Sequence, residues 1–271
     1  METILSLDLE LFGLLTLPAQ RRAPVAVILL NAGFIHRVGP YRMGVRLARA
    51  LADAGYPVLR FDLPGIGDSI ELADKSEVDV IRGVLDAVAK QTGYQRFVIG
   101  GLCAAADAGW KVAAADPRVE GLILLDGLAR KGMWSTWARL RRLVRKPPSA
   151  WLAAVRNLRA HPAGDGGGNG AARDVTDAAL RDWPAPGSER KELDAMVERG
   201  VRVFALYTGG TSYFLHPRQF RATFGRSASA PGVTFVHWPE MDHVFHLDTH
   251  RQRLIGRIGE WLQRAFPLPA S

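Results

Sequence analysis

Short, continuous apolar runs, each followed by a stretch with helical spacing, constrain this chain more than any other feature. The runs are "VAVILL" from Val25, "PVLRFD" from Pro57, "RFVIG" from Arg96, "VEGLILLD" from Val119, "VRVFALYTGG" from Val201 and "VTFVHW" from Val233. Runs of this length without polar alternation are what strands look like when helices cover both faces of a parallel sheet. Helical spacing lies between them. Val45, Leu47, Ala48, Leu51 and Ala52 form a stripe that stops at Gly55, a second helix is expected over about Ser76 to Lys90, and a third from Ala104. Alternating stretches at Ile4 to Leu9 and Leu11 to Leu17 add two strands, and a helix from about Thr249 to Phe266 closes the chain. Strand and helix in alternation predict an α/β fold: a mostly parallel eight-stranded sheet with helices on both faces. With 271 residues, 48% of them hydrophobic, the chain can bury a large core as one globular domain.

The alternation breaks after the sixth strand. Residues 129–160 hold nine Lys or Arg and no acid, and Trp134, Trp137, Leu140, Val144, Trp151, Val155 and Leu158 recur at roughly helical spacing. Basic amphipathic helices are expected there. "HPAGDGGGNGAAR", residues 161–173, reads as a Gly-rich loop, and a polar helix follows near Ser188 to Glu198. The expected organisation is a core of residues 1–128 and 201–271 carrying a helical cap, residues 129–200.

The stretch "RFVIGGLCAAADAGW" places the only cysteine of the chain, Cys103, between a strand and a helix, with Gly101 two residues before it and Ala105 two after. Strand, sharp turn and helix with small flanking residues make a nucleophile elbow. Small neighbours let the helix approach the strand, and the helix amino terminus favours a thiolate at the turn. A small buried hydrophobe is the bland alternative for a lone Cys. The elbow and its flanking elements favour the nucleophile.

These residues resemble the α/β-hydrolase superfamily. The likeness is carried by "LLNAGFIH" after the third strand, "RFDLPGIGDS" after the fourth, the elbow, and "PEMDHVF" after the last strand, and it leaves out the cap. A closer likeness, in "NAGFIHRVGPYR" and in "GLC" followed by "AD", is to small hydrolases encoded with exosortase and exopolysaccharide genes. The resemblance implies an α/β-hydrolase fold with the cap inserted after the sixth strand, and a base in the loop after the last strand. His243 stands there, with His246 as its rival. It implies oxyanion donors at the backbone N–H of Ala104 and of Gly33 or Phe34. Asn31, His36, Trp134, Trp137 and Ser212 are candidates to line the substrate site.

The acid departs from the family pattern. Its usual place follows the seventh strand, yet no carboxylate occurs from Val201 to Phe220. Asp126, at the end of "GLILLD", is the expected substitute. A Cys-His dyad without an acid is the alternative, since a thiol ionises far more readily than a hydroxyl. Asp62, Asp68 and Asp107 read as a turn residue, a turn cap and a helix-face residue, and Asp242 is expected to point away.

Several classes are disfavoured. Cys and His show no metal-ligand spacing, and no phosphate-binding or dinucleotide-binding glycine motif is present, so neither metal nor cofactor is expected. No run approaches the length of a membrane span, and "METILSLDLELFG" has neither a basic start nor a continuous apolar run, so it does not read as a signal peptide. One Cys permits no internal disulfide, which fits a reducing, cytoplasmic location. The net charge of +8 calls for acidic partners. A basic, Trp-bearing cap over a hydrolase cleft suits coenzyme A or an acidic acyl carrier protein better than nucleic acid. The expected activity is acyl transfer through an acyl-Cys103 intermediate: a thioesterase or acyltransferase, with a carboxylesterase or lactone hydrolase as the alternative. A degenerate hydrolase kept as a binding or scaffold protein is the non-enzymatic reading.

Overall fold

A computed structural model describes residues 1–7, 11–20, 23–72, 75–144, 181 and 183–269. The strands are β1 (Glu2–Leu7), β2 (Leu11–Thr16), β3 (Ala26–Leu29), β4 (Val58–Phe61), β5 (Phe97–Leu102), β6 (Val119–Leu125), β7 (Arg202–Thr208) and β8 (Val233–Trp238). They form one sheet in the order β1-β2-β4-β3-β5-β6-β7-β8. β2 runs antiparallel to both of its neighbours, and every pairing from β4 to β8 is parallel. The eight strands and the mostly parallel sheet are as the apolar runs predict.

The α-helices are α1 (Met43–Asp53), α2 (Glu77–Thr92), α3 (Ala104–Ala115), α4 (Met133–Val144), α5 (Ser188–Glu198), α6 (Arg218–Phe224) and α7 (Asp248–Ala265), with short 3-10 helices at Pro40–Arg42 and Arg226–Ser229. Two cores lie on opposite faces of the sheet. One joins Leu51, Val58 and Phe204 to Leu254, Ile258 and Trp261 under α1 and α7, and the other joins Phe61, Ile99 and Leu122 to Val84, Trp110 and Phe224 under α2, α3 and α6. Ser76 caps α2 by accepting the Asp79 amide, a contact worth about 1 kcal/mol, and Gly93 ends it in the left-handed conformation.

The two glycines before the elbow have a steric reason. At Gly100, with φ of 137°, a Cβ would collide with the Ile123 carbonyl of β6, and Gly109 of α3 packs so close that its own Cβ would lie 2.9 Å from the Gly100 Cα. Strand and helix touch through glycine on both sides, and this seats α3 directly behind the turn.

The expected cap divides. α4 leaves the carboxyl end of β6 and buries Ser135 and Ala138, whereas Met133 and Leu140 are exposed. α5, expected within the cap, packs beside α3 and α6: Leu193 and Met196 are fully buried in the core that includes α3. It is the crossover helix between β6 and β7, and its polar composition hid the two apolar residues that anchor it. Trp151, Val155, Leu158 and the Gly-rich loop 161–173 lie outside the described residues. The short helix α6 was not expected. Buried Phe220 and Phe224 hold it against β8 and α3, through Phe235 and Trp110.

Candidate active site

Cys103 sits between β5 and α3 with φ 60° and ψ −118°, outside the regions L-residues ordinarily occupy. The preceding strand and following helix hold it there. Its amide donates to the Leu125 carbonyl at 2.8 Å, and its carbonyl accepts the Ala106 amide at 3.0 Å. Ala104 is the first residue of α3, so its amide has no acceptor in a preceding helical turn.

Asp126 follows β6, the strand beside β5, and is fully buried with φ 48°. Its Oδ1 accepts the Thr208 amide at 2.6 Å, and its Oδ2 accepts the Thr208 hydroxyl at 2.7 Å. Oδ2 also lies 2.8 Å from His243 Nδ1. On its other side the His243 imidazole neighbours the Cys103 side chain closely enough for the thiol to raise its pKa. One line of contacts therefore runs Thr208, Asp126, His243, Cys103. β6 and β7 are neighbours in the sheet, so a residue just past β6 reaches the place where the family takes its acid from β7. Thr208, at that usual place, supports the carboxylate without supplying it.

Burial pulls the imidazole of His243 down, but the hydrogen bond to Asp126 and the interaction with the neighbouring Cys103, with the charges of both, outweigh it and raise the pKa to about 9. A histidine raised in the folded state lends stability that is complete below its unfolded value, 6.5, and lost as pH rises through about 9. The urea midpoint of the wild type is accordingly expected to fall between those two pH values more steeply than that of His243→Gln. Parallel curves in that window would show that His243 holds no extra proton.

The loop after β3 is braced from below. Asn31 donates to the Ile35 carbonyl at 2.9 Å and to Asp62 at 3.0 Å, and its Oδ1 accepts the Leu63 amide at 2.8 Å. Only 2% exposed and fully engaged, it shapes the loop and offers the substrate nothing. Gly33 has φ 62° with open space where a Cβ would stand, and Phe34 exposes 95% of its surface, so this turn faces solvent. Asp62 also accepts the Arg37 amide at 2.7 Å and pairs with its guanidinium. Gly67 is required there, because a Cβ would strike the Asp62 carboxylate and His36.

His36, Asp62 and Asp68 bring ligand-type atoms within 4.8 Å of one another. Arg37 already pairs with both carboxylates, filling the place a cation would take. His36 sits against Asp68 at 3.4 Å and against Arg37 at 2.8 Å, so its ring is committed to this cluster.

The remaining candidates have partners of their own. Trp134 stacks on His216 with centroids 5.1 Å apart, and Trp137 meets the same ring edge-on at 5.4 Å. Ser212 is exposed, its carbonyl accepting from Arg139 at 3.4 Å. Among the described residues no contact joins Trp134, Trp137 or Ser212 to Cys103. The expectation of a Trp stripe buried over the cleft is not met: α4 turns its apolar outer face, Met133, Trp137 and Leu140, to solvent. His246 is exposed and bonded to the Tyr41 hydroxyl at 3.0 Å, which removes it as the base. Asp242 accepts the Val244 and His246 amides and caps that turn.

A family model for the alpha/beta hydrolase fold matches residues 25–180. The chain belongs to the α/β-hydrolase family. An α/β serine hydrolase without lid from Xanthomonas campestris is 18% identical, with a TM-score of 0.59 over 100% of this chain and 96% of that one. An esterase from Pyrococcus furiosus is 14% identical, with a TM-score of 0.60 over 97% of this chain and 90% of that one. A dienelactone hydrolase from Anabaena variabilis is 13% identical, with a TM-score of 0.55 over 97% and 96% of the two chains. At these identities the likeness is one of fold. No curated protein matches the chain. Family membership and hydrolase neighbours favour an enzyme over a scaffold protein. Among the described residues no helix is long and apolar enough to cross a membrane.

Sequence reasoning passed over Arg181 and set Asp107 aside as a residue on a helix face. In this hydrolase their side chains are 4% and 8% exposed and pair at 2.5 Å directly beneath the elbow. A signal was present. Asp107 lies four residues after Cys103 among alanines and glycine, so it shares the helix face that packs on the core.

Proposed function

We propose that this α/β hydrolase passes an acyl group through a thioester on Cys103, with His243 as base, Asp126 as the acid that orients it, and Ala104 with Gly33 or Phe34 as oxyanion donors. The placement of His243 between Asp126, to which its Nδ1 is hydrogen-bonded, and Cys103, which perturbs its ring, carries the reading. His243 takes the thiol proton and the Cys103 sulfur attacks the substrate carbonyl carbon. The carbonyl oxygen becomes an oxyanion facing the amides of Ala104 and the β3 loop. As it collapses, the bond to the leaving thiol or alcohol breaks and His243 returns the proton to that group. Water, activated by the same imidazole, then releases the acid and restores the thiol.

Thioesters suit a thiol nucleophile, because attack exchanges one C–S bond for another at little free-energy cost. Ester and lactone carbonyls enter the same cycle, and the likeness to an esterase and a dienelactone hydrolase favours that second reading. A single unpaired thiol used as a nucleophile fits a reducing cytoplasm. The test is intact mass measurement after mixing the protein with acetyl-coenzyme A and with p-nitrophenyl acetate. One acetyl adduct on Cys103 is expected. Turnover of either compound with Cys103 alkylated overturns the reading.

The donor side is proposed to be acidic. α4 exposes Arg139 and Arg141 and carries no acid of its own. Reversing both to Glu is expected to raise KM for acetyl-coenzyme A by about tenfold while leaving KM for p-nitrophenyl acetate unchanged, with the difference fading in high salt. Equal losses on both substrates would assign these arginines to cap structure.

A further inference from the structure

Five non-glycine residues among those described have left-handed φ, and two of them are Cys103 at 60° and Asp126 at 48°. A side chain held in such a conformation persists only where its surroundings over-determine it. Both turns answer to one guanidinium. Arg181 Nη2 donates to the Cys103 carbonyl at 3.0 Å, and Nη1 donates to the Asp126 carbonyl at 3.2 Å. Nη1 also donates to the Tyr213 hydroxyl at 2.7 Å, and that hydroxyl donates to the same Asp126 carbonyl at 2.5 Å.

The guanidinium is itself fixed. Asp107 Oδ2 accepts from Arg181 Nε at 2.5 Å and from Trp183 Nε1 at 3.0 Å. The rings of Trp183 and Tyr213 stand 5.1 and 5.3 Å from its central carbon. A planar, rigid fork anchored this way sets the spacing of the two carbonyls it bridges, which a flexible ammonium would not do.

We infer that Arg181 is a positioning residue, tying the nucleophile turn to the acid turn so that Cys103 and Asp126 keep their placement on either side of His243. This rests on the roles proposed above for Cys103 and Asp126. Asp107 acts one step further out by neutralising the buried guanidinium and orienting its fork. Neither residue meets substrate. A purely structural ion pair would behave differently, because a buried pair replaced by neutral groups of similar volume often costs no stability.

That difference supplies the test. In the double variant Arg181→Met with Asp107→Asn the charge is removed from both partners, while Asn still accepts from Trp183. Its melting temperature is expected to stay close to that of the wild type. With p-nitrophenyl acetate as probe, kcat is expected to fall about a hundredfold with KM changed less than about threefold, the mark of a displaced reacting group in an intact site. Arg181→Lys keeps the charge, reaches one carbonyl at a time, and is expected to fall between the two. Wild-type kcat in the folded double variant, or full activity in Arg181→Lys, overturns the positioning role. A failure of the nucleophile reading would show itself separately, as wild-type protein that still turns over once Cys103 is alkylated.

Discussion

Cys103→Ala is expected to lose turnover entirely, by about a millionfold if the loss matches that of a removed serine nucleophile. The same variant should form no acyl adduct by intact mass. Its fold should survive, because the change removes one atom from a half-buried position followed by alanines, at a cost below about 1 kcal/mol. The positive φ at this position persists in Ala, as do the contacts of its amide to Leu125 and of its carbonyl to Arg181. Loss of activity with an unchanged melting temperature therefore points to the sulfur. Cys103→Ser asks a further question. A hydroxyl is harder to ionise than a thiol and depends more on an oriented base, so partial esterase activity in that variant would mean that Asp126 and His243 work as a pair. Full activity in Cys103→Ala would remove covalent catalysis at this residue.

What could be read from the sequence, and what could not, follows from range of interaction. The strands were legible because a strand buried on both faces is a local signal: "VAVILL" and "VEGLILLD" need no partner to be recognised. The elbow was legible for a similar reason, since Gly100, Gly101 and Ala105 surround Cys103 within a few residues. Asp126 came from a harder inference. It rested on the family resemblance, in which some members take the acid from that earlier strand end, and the sheet places Leu125 beside Leu206. α5 was located as a helix, but its packing beside α3 was not foreseen, because two apolar anchors, Leu193 and Met196, are too few to register against its charged residues. Arg181 was illegible. Its partners come from α3, from the turn after β6 and from Tyr213, and only the folded chain brings them together. The Trp stripe misled for the converse reason: helical spacing on α4 shows that a face exists without showing what that face meets.

The decisive test of the acid is Asp126→Asn. Asn is among the few residues that accept left-handed φ readily, so the 48° turn can form unchanged. The Thr208 amide can still donate to the remaining carbonyl oxygen, as it does to Oδ1 at 2.6 Å. What changes is the atom beside His243. Oδ2 accepts from both Thr208 and the Nδ1 side of the imidazole, and an amide nitrogen in its place can only donate. Facing that donor, Nδ1 must become the acceptor and the ring proton must move to Nε2, the nitrogen needed to take the thiol proton. The acidic partner that stabilises the imidazolium is lost at the same time. In a serine triad this exchange costs about four orders of magnitude in kcat, and a comparable loss is expected here with a near-native melting temperature. His243→Ala should lose at least as much, and the double variant little more, since the two side chains act as a unit. A Cys-His dyad makes the opposite prediction, with a loss of less than about tenfold, or about 1.4 kcal/mol in barrier height. Near wild-type kcat in Asp126→Asn would therefore take the carboxylate out of the mechanism and leave thiol and imidazole to act alone.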